Sequence, residues 1–135
     1  MKILKIIVST ISGGFIMWIT AGLWHNLILP NLNNNLEAHH KGLGLMLLAY
    51  LILAFLMTTI YAFKLKTSKP IVEGIKVGVI LGILWVFPHG LAMAGAHDTS
   101  IIYEIKNAVY HIFEQGLGGI VIALTQSYTT MKKNY

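Results

Sequence analysis

The sequence contains no cysteine and no arginine, and charged residues make up only 11% of its 135 residues. The absence of cysteine excludes a disulfide framework and any thiolate metal site. An ordinary soluble domain carries about a quarter charged residues, whereas 56% of the residues here are hydrophobic. The composition therefore predicts an integral membrane protein, and the length predicts a single domain over residues 1–135.

The chain also lacks the sequence signatures of several function classes. Its ten basic residues are all lysines, and they lie mostly at the ends of apolar runs, where membrane topology accounts for them. We therefore expect no nucleic-acid partner. The sequence contains no Gly-x-Ser-x-Gly, no His-Glu-x-x-His and no phosphate-binding glycine loop, so it does not indicate hydrolytic catalysis. Whether the protein is an enzyme stays open at this point.

Most of the chain falls into four apolar segments, at about residues 4–29, 42–64, 71–95 and 102–128. Each segment exceeds the roughly 20 residues that a transmembrane helix needs. Pro30 follows the first segment, and Pro70 is suited to begin the third helix. The predicted fold is all-α, a bundle of four transmembrane helices, in which the first segment is a retained helix rather than a signal peptide.

The lysines predict how the bundle is oriented in the membrane. Eight of the ten lie on the side shared by the two termini and the second loop, and only Lys41 and Lys106 fall on the other side. Positively charged loops stay in the cytoplasm. We therefore expect a multi-pass protein of the inner (cytoplasmic) membrane with both termini in the cytoplasm.

The fourth segment carries a stripe of polar and small residues through an otherwise apolar helix. Its members are spaced mainly by three or four residues, which places them on one helix face: Glu104, Asn107, His111, Glu114, Gly118 and Thr125. An ionisable group inside a bilayer costs at least a few kcal/mol and indicates a functional site by default. His111 and Glu114 therefore predict a metal, haem or proton site, unless they form a hydrogen bond that only fixes helix packing.

All six histidines fall in the half of the predicted bundle that lies away from the termini. We expect His25, His89 and His111, on three different helices, to surround one cavity with Glu114 as a further ligand. His40, His39 and Glu37 would form a lid over that cavity. Imidazole and carboxylate ligands suit a single zinc, copper or iron ion, and two of the intramembrane histidines would suit haem b as axial ligands.

The function that this pattern favours is metal handling or a redox role. An alternative is a non-catalytic accessory subunit or a homo-oligomer, because Gly74, Gly78 and Gly82 recur at a spacing that lets another helix approach closely. A third hypothesis is a small proton-coupled transporter that uses His111 and Glu114 as titrating groups. In each case the expected partners are the lipid bilayer and either further copies of the chain or a partner membrane subunit.

Three short motifs resemble a known family. They are Ala21-Gly22-Leu23-Trp24 at the end of the first helix, Glu73-Gly74 at the start of the third, and Tyr110-His111 in the fourth. In these residues and in its layout the chain resembles a bacterial family of small four-helix integral membrane proteins of unknown function. The resemblance implies an architecture and no assigned activity.

Overall fold

The computed structural model describes residues 2–28, 43–63, 69–97 and 99–131. These residues form four helices: α1 (Lys2–Leu23), which continues into a π-helical turn (Trp24–Ile28), α2 (Leu43–Phe63), α3 (Pro70–His97) and α4 (Ile101–Met131). Each is long and apolar enough to cross a membrane. The predicted all-α bundle with four candidate membrane spans is confirmed, and the chain is a small multi-pass membrane protein.

The helices alternate in direction along the chain. Helix α1 is antiparallel to α4, because Gly13 packs against Ile122 while Trp24 lies beside Asn107. Helix α3 is also antiparallel to α4, whereas α2 is parallel to α4. At one end of the bundle α1 and α3 finish while α2 and α4 begin. We call this the His-rich end, since His25, His89, His97 and His111 lie toward it.

Helices α3 and α4 form the closest pair in the bundle, and glycine makes this possible. Gly78 lies directly against the backbone carbonyl of Gln115, and Gly74 lies against that of Gly119. A Cβ atom at either α3 position would overlap with the α4 backbone. The two backbones therefore touch, which is the close approach that the glycine spacing predicted.

Most of the side chains at the centre of the bundle are apolar, and so is most of its outer surface. Met17, Met57 and Ile122 are fully or almost fully buried where α1, α2 and α4 meet. Leu45 and Phe63 are 73% and 89% exposed on the outside. Apolar side chains suit a surface that faces hydrocarbon, and the four apolar helices thus suggest contact with the lipid bilayer.

Candidate functional site

A cavity of about 740 Å³ lies between α2 and α3, with α4 as its back wall and His25 of the π-helical turn at its edge. It exists because α2 and α3 contact each other little, although both pack against other helices. Its volume falls within the roughly 300–1,000 Å³ typical of small-molecule sites. Most lining side chains are apolar, and its polar lining includes His25, Tyr50, His89, Glu104, Asn107, His111 and Gln115.

Four of these polar residues lie on α4 and form a continuous line along the back wall. We call Glu104, Asn107, His111 and Gln115 the α4 polar stripe. Their spacings of three, four and four residues keep them on one helix face, and a rise of 1.5 Å per residue makes the stripe roughly 16 Å long. Apart from Tyr50 on α2 and His89 on α3, the cavity is therefore apolar on the α2 and α3 sides, and it is polar along α4.

Behind the stripe, His111 is paired with a buried carboxylate. Its Nδ1 atom lies 3.0 Å from Oε2 of Glu114, and the Tyr50 hydroxyl donates a hydrogen bond of 3.4 Å to the same oxygen. Glu114 has no exposed surface, and its Oε1 atom accepts no hydrogen bond from the described residues. Among these three residues, His111 and Tyr50 line the cavity while Glu114 does not. His111 therefore connects the cavity to a carboxylate that the cavity itself does not reach.

Aromatic contacts between α1 and α4 bring His25 to the same place. The Trp24 ring stacks on Tyr110 with centroids 4.1 Å apart, and its Nε1 atom donates a 3.0 Å hydrogen bond to Asn107 Oδ1. The π-helical turn begins at Trp24, and its next residue, His25, has its ring centroid 5.4 Å from that of His111. Single π-helical turns occur frequently at functional sites. Two imidazoles from different helices thus meet at one edge of the cavity.

The structure brings together only some of the residues that were predicted to form a ligand site. His111 lies beside both His25 and Glu114. His89 lines the same cavity, but it is exposed and stacks on Trp85, with ring centroids 6.2 Å apart. Glu37, His39 and His40, the predicted lid, lie outside the described residues.

No group of three histidine, aspartate or glutamate side chains is placed to hold a metal ion within the four described stretches of the chain. A zinc, copper or iron site formed by His25, His89, His111 and Glu114 is therefore not shown. Haem b is not tested by the structure and stays a prediction.

The site also contains residues that the sequence analysis did not select. Gln115 is only 2% exposed and lines the cavity, and its Oε1 atom has no hydrogen-bond partner among the described residues. Its spacing of four residues from His111 could have identified Gln115 as a member of the polar face of α4. Glu114 was predicted to lie on that face, but its side chain turns toward Tyr50 of α2 instead. Tyr50 had no such signal, because α2 is apolar all round and has no polar face.

Comparison with known proteins adds no relative. No family model, no curated protein and no solved structure matches the chain. The resemblance to small four-helix membrane proteins of unknown function therefore stays a prediction.

Proposed function

We propose that the protein binds a lipid-soluble small molecule in the cavity between α2 and α3, and that it exchanges a proton with this molecule through His111. One observation carries the proposal. The imidazole of His111 forms part of the cavity wall, while its Nδ1 atom lies 3.0 Å from the fully buried carboxylate of Glu114. The pair gives a largely apolar cavity a group that can take up and return a proton.

The position of the cavity indicates that its ligand enters from the membrane. Both flanking helices are apolar enough to span a bilayer, and they contact each other little. Leu53 of α2 and Leu81 of α3 are among the apolar side chains that line the cavity. A largely apolar pocket with a few convergent polar groups is the usual form of a small-molecule site, and here hydrocarbon lies next to it.

The chemistry of the pair supports proton exchange. With Glu114 ionised and His111 neutral, Nδ1 donates its hydrogen to the carboxylate, and Nε2 is left as an acceptor. A ligand O–H or N–H group can then pass its proton to Nε2, which makes His111 an imidazolium beside the carboxylate. Movement of the Nδ1 proton to Glu114 leaves both groups neutral, with Nε2 now a donor. The ligand has lost one proton and the pair has gained it, so the balance closes within these two residues.

A cavity-blocking variant tests ligand binding directly. Ala49 lines the cavity, and an Ala49→Trp variant would place an indole ring at its wall and narrow it; Leu48, its neighbour, is 52% exposed outside the cavity and provides the matched control Leu48→Trp. Proteins are purified in nanodiscs cut from their own membranes, and the extracted lipophilic molecules are quantified by mass spectrometry. We expect one class of molecule to be enriched in the wild type and in Leu48→Trp, and to fall by about tenfold in Ala49→Trp. Identical extracts from all three proteins would overturn ligand binding.

The proton step has its own readout. In protein labelled with ¹⁵N-histidine, the two ring nitrogens of His111 report whether each carries a proton. We expect the His111 signals of the occupied wild type to differ from those of Ala49→Trp, and this difference to disappear when Glu114→Gln is added to both. If the His111 signals are the same with and without a blocked cavity, the ligand does not exchange a proton with this residue.

A metal or haem role is a second candidate, and the closeness of His25 and His111 favours it. Their ring centroids are 5.4 Å apart, and both residues are of a type that binds zinc, copper or iron, or haem iron. Elemental analysis and absorption spectra of purified protein, compared with His111→Ala, test this role. It requires stoichiometric metal or haem in the wild type and its loss in the variant.

We also propose that the protein lies in the inner (cytoplasmic) membrane with both termini in the cytoplasm. Eight of the ten lysines support this orientation. A homo-oligomer or a partner membrane subunit stays a prediction, and native mass spectrometry from nanodiscs would test it by the mass of the intact assembly.

A further inference from the structure

We infer that the cavity selects an organic cation, whose charged group lies against Glu104 at the His-rich end and whose apolar part lies toward Leu53 and Leu56. The inference rests on the proposed function, because it names the class of molecule that the same cavity would take. It is carried by the charge of the lining and by the aromatic rings at that end.

The described part of the cavity lining carries negative charge and no permanent positive charge. Among the described residues that line it, Glu104 is the one carboxylate, and no lysine is present. Oε1 of Glu104 accepts a 2.9 Å hydrogen bond from the Thr99 hydroxyl, and within the described chain the residue forms no salt bridge. A carboxylate beside an apolar cavity attracts a cation more strongly than it would in water, because the local dielectric constant is lower.

The backbone next to Glu104 leaves room for such a group. Gly90 of α3 faces this carboxylate, and a Cβ atom built on Gly90 would lie 3.8 Å from Oε2 of Glu104, in van der Waals contact with it. Gly90 also lines the cavity. The absence of a side chain at this position therefore keeps the carboxylate open toward the cavity.

Aromatic side chains strengthen the preference. Tyr103, next to Glu104, and Trp85 on α3 both line the cavity. The faces of aromatic rings attract cations, and the attraction is largest where water is excluded. An anion would meet none of these favourable contacts and would lie beside a carboxylate.

Glu104 also has a structural role that the experiment must separate from ligand selection. It lies in the first turn of α4, where a negative charge stabilises the helix. If that were its whole role, its removal would lower stability without changing which charge the cavity prefers. The decisive readout is therefore the preference between two ligands of the same shape and opposite charge.

Tetraphenylphosphonium and tetraphenylborate are such a pair. Binding of each is measured by calorimetry on protein in phosphatidylcholine nanodiscs, with empty nanodiscs subtracted to remove partitioning into lipid. We expect the cation to bind wild type about tenfold more tightly than the anion, and Glu104→Gln to bring the two close to equal affinity. The matched control is Glu73→Gln, because Glu73 lies at the opposite end of the bundle and pairs with Lys76; it should leave the preference unchanged.

The outcomes separate this inference from the proposed function. Equal binding of the two ions by the wild type, abolished by Ala49→Trp, would overturn charge selection and leave the cavity as a binding site. A preference that survives Glu104→Gln, in a variant whose melting temperature matches the wild type, would also overturn it. If neither ion binds above the empty nanodiscs, the inference fails, and the extraction experiment decides separately whether the cavity holds another molecule.

Discussion

The Nδ1 atom of His111 lies 3.0 Å from Oε2 of Glu114, and this contact joins a cavity wall to a carboxylate with no exposed surface. The two residues are three apart on α4, so a single turn of helix positions them. A buried carboxylate without partners would be strongly unfavourable. The contacts with His111 and Tyr50 stabilise Glu114 in this buried position, and His111 connects the carboxylate to the cavity.

Removal of the Glu114 carboxylate should destabilise the protein, and the size of the loss should depend on the residue that replaces Glu114. Glu114→Leu leaves the polar groups of His111 and Tyr50 without their shared partner, and we expect the free energy of unfolding to fall by about 1–3 kcal/mol. Glu114→Gln keeps a hydrogen-bonding group of the same size, so its loss should be smaller. Chemical unfolding in detergent micelles measures both. Lys76→Gln, which breaks an exposed pair with Glu73, is the control and should change stability by at most about 1 kcal/mol. A Glu114→Leu protein as stable as wild type would mean that the contact contributes nothing.

A methyl group at Gly78 should force α3 and α4 apart. The Cβ of Gly78→Ala would overlap with the backbone carbonyl of Gln115, which a rotation of a side chain cannot relieve. Overpacking of this kind typically costs about 1–3 kcal/mol, and the melting temperature should fall. Gly95→Ala on the same helix is the matched control, since among the described residues no atom beyond its own stretch of helix lies within 4 Å of the position its Cβ would take. If both variants melt at the same temperature, the close contact between α3 and α4 at Gly78 does not limit the size of the residue there.

The hydrogen bond of Trp24 should contribute to stability separately from its ring. Trp24→Phe keeps an aromatic ring against Tyr110 but leaves Asn107 Oδ1 without its donor. We expect a loss of about 0.5–1.5 kcal/mol in the free energy of unfolding, together with a change in the His25 ring signals in ¹⁵N spectra. Trp85→Phe, at a position that is 66% exposed, should leave stability unchanged. An unchanged His25 spectrum in Trp24→Phe would show that this bond does not position the neighbouring imidazole.

Cysteine labelling can test the proposed orientation, because the chain contains no cysteine of its own. Ser100 is exposed between α3 and α4, and Lys69 precedes α3 at the opposite end of the bundle. In intact spheroplasts, a membrane-impermeant maleimide should label Ser100→Cys, whereas Lys69→Cys should react only after permeabilisation. The opposite labelling pattern would place the termini outside the cytoplasm.

Much of the fold follows from the sequence alone. The four helices could be predicted because hydropathy and length depend only on composition along the chain, and a 20-residue apolar segment has few alternatives to a helix in a membrane. The alternation of four spans also places His25, His89 and His111 in the same half of the bundle. The pairing of His111 with Glu114 could be anticipated, because their spacing of three holds in any α-helix.

The packing of the helices was needed to decide which side chains face the cavity. Glu114 and Gln115 are adjacent in sequence, and helical periodicity alone does not say which of them lies on the cavity wall. The rotation of α4 about its axis determines which of the two residues lines the cavity. The contact of Gly78 with the Gln115 backbone helps to fix this rotation. The cavity likewise exists because α2 and α3 pack on other helices and little on each other. Such contacts join residues that are distant in the chain. Their geometry depends on how the side chains of several helices fit together, and a local sequence pattern cannot predict that fit.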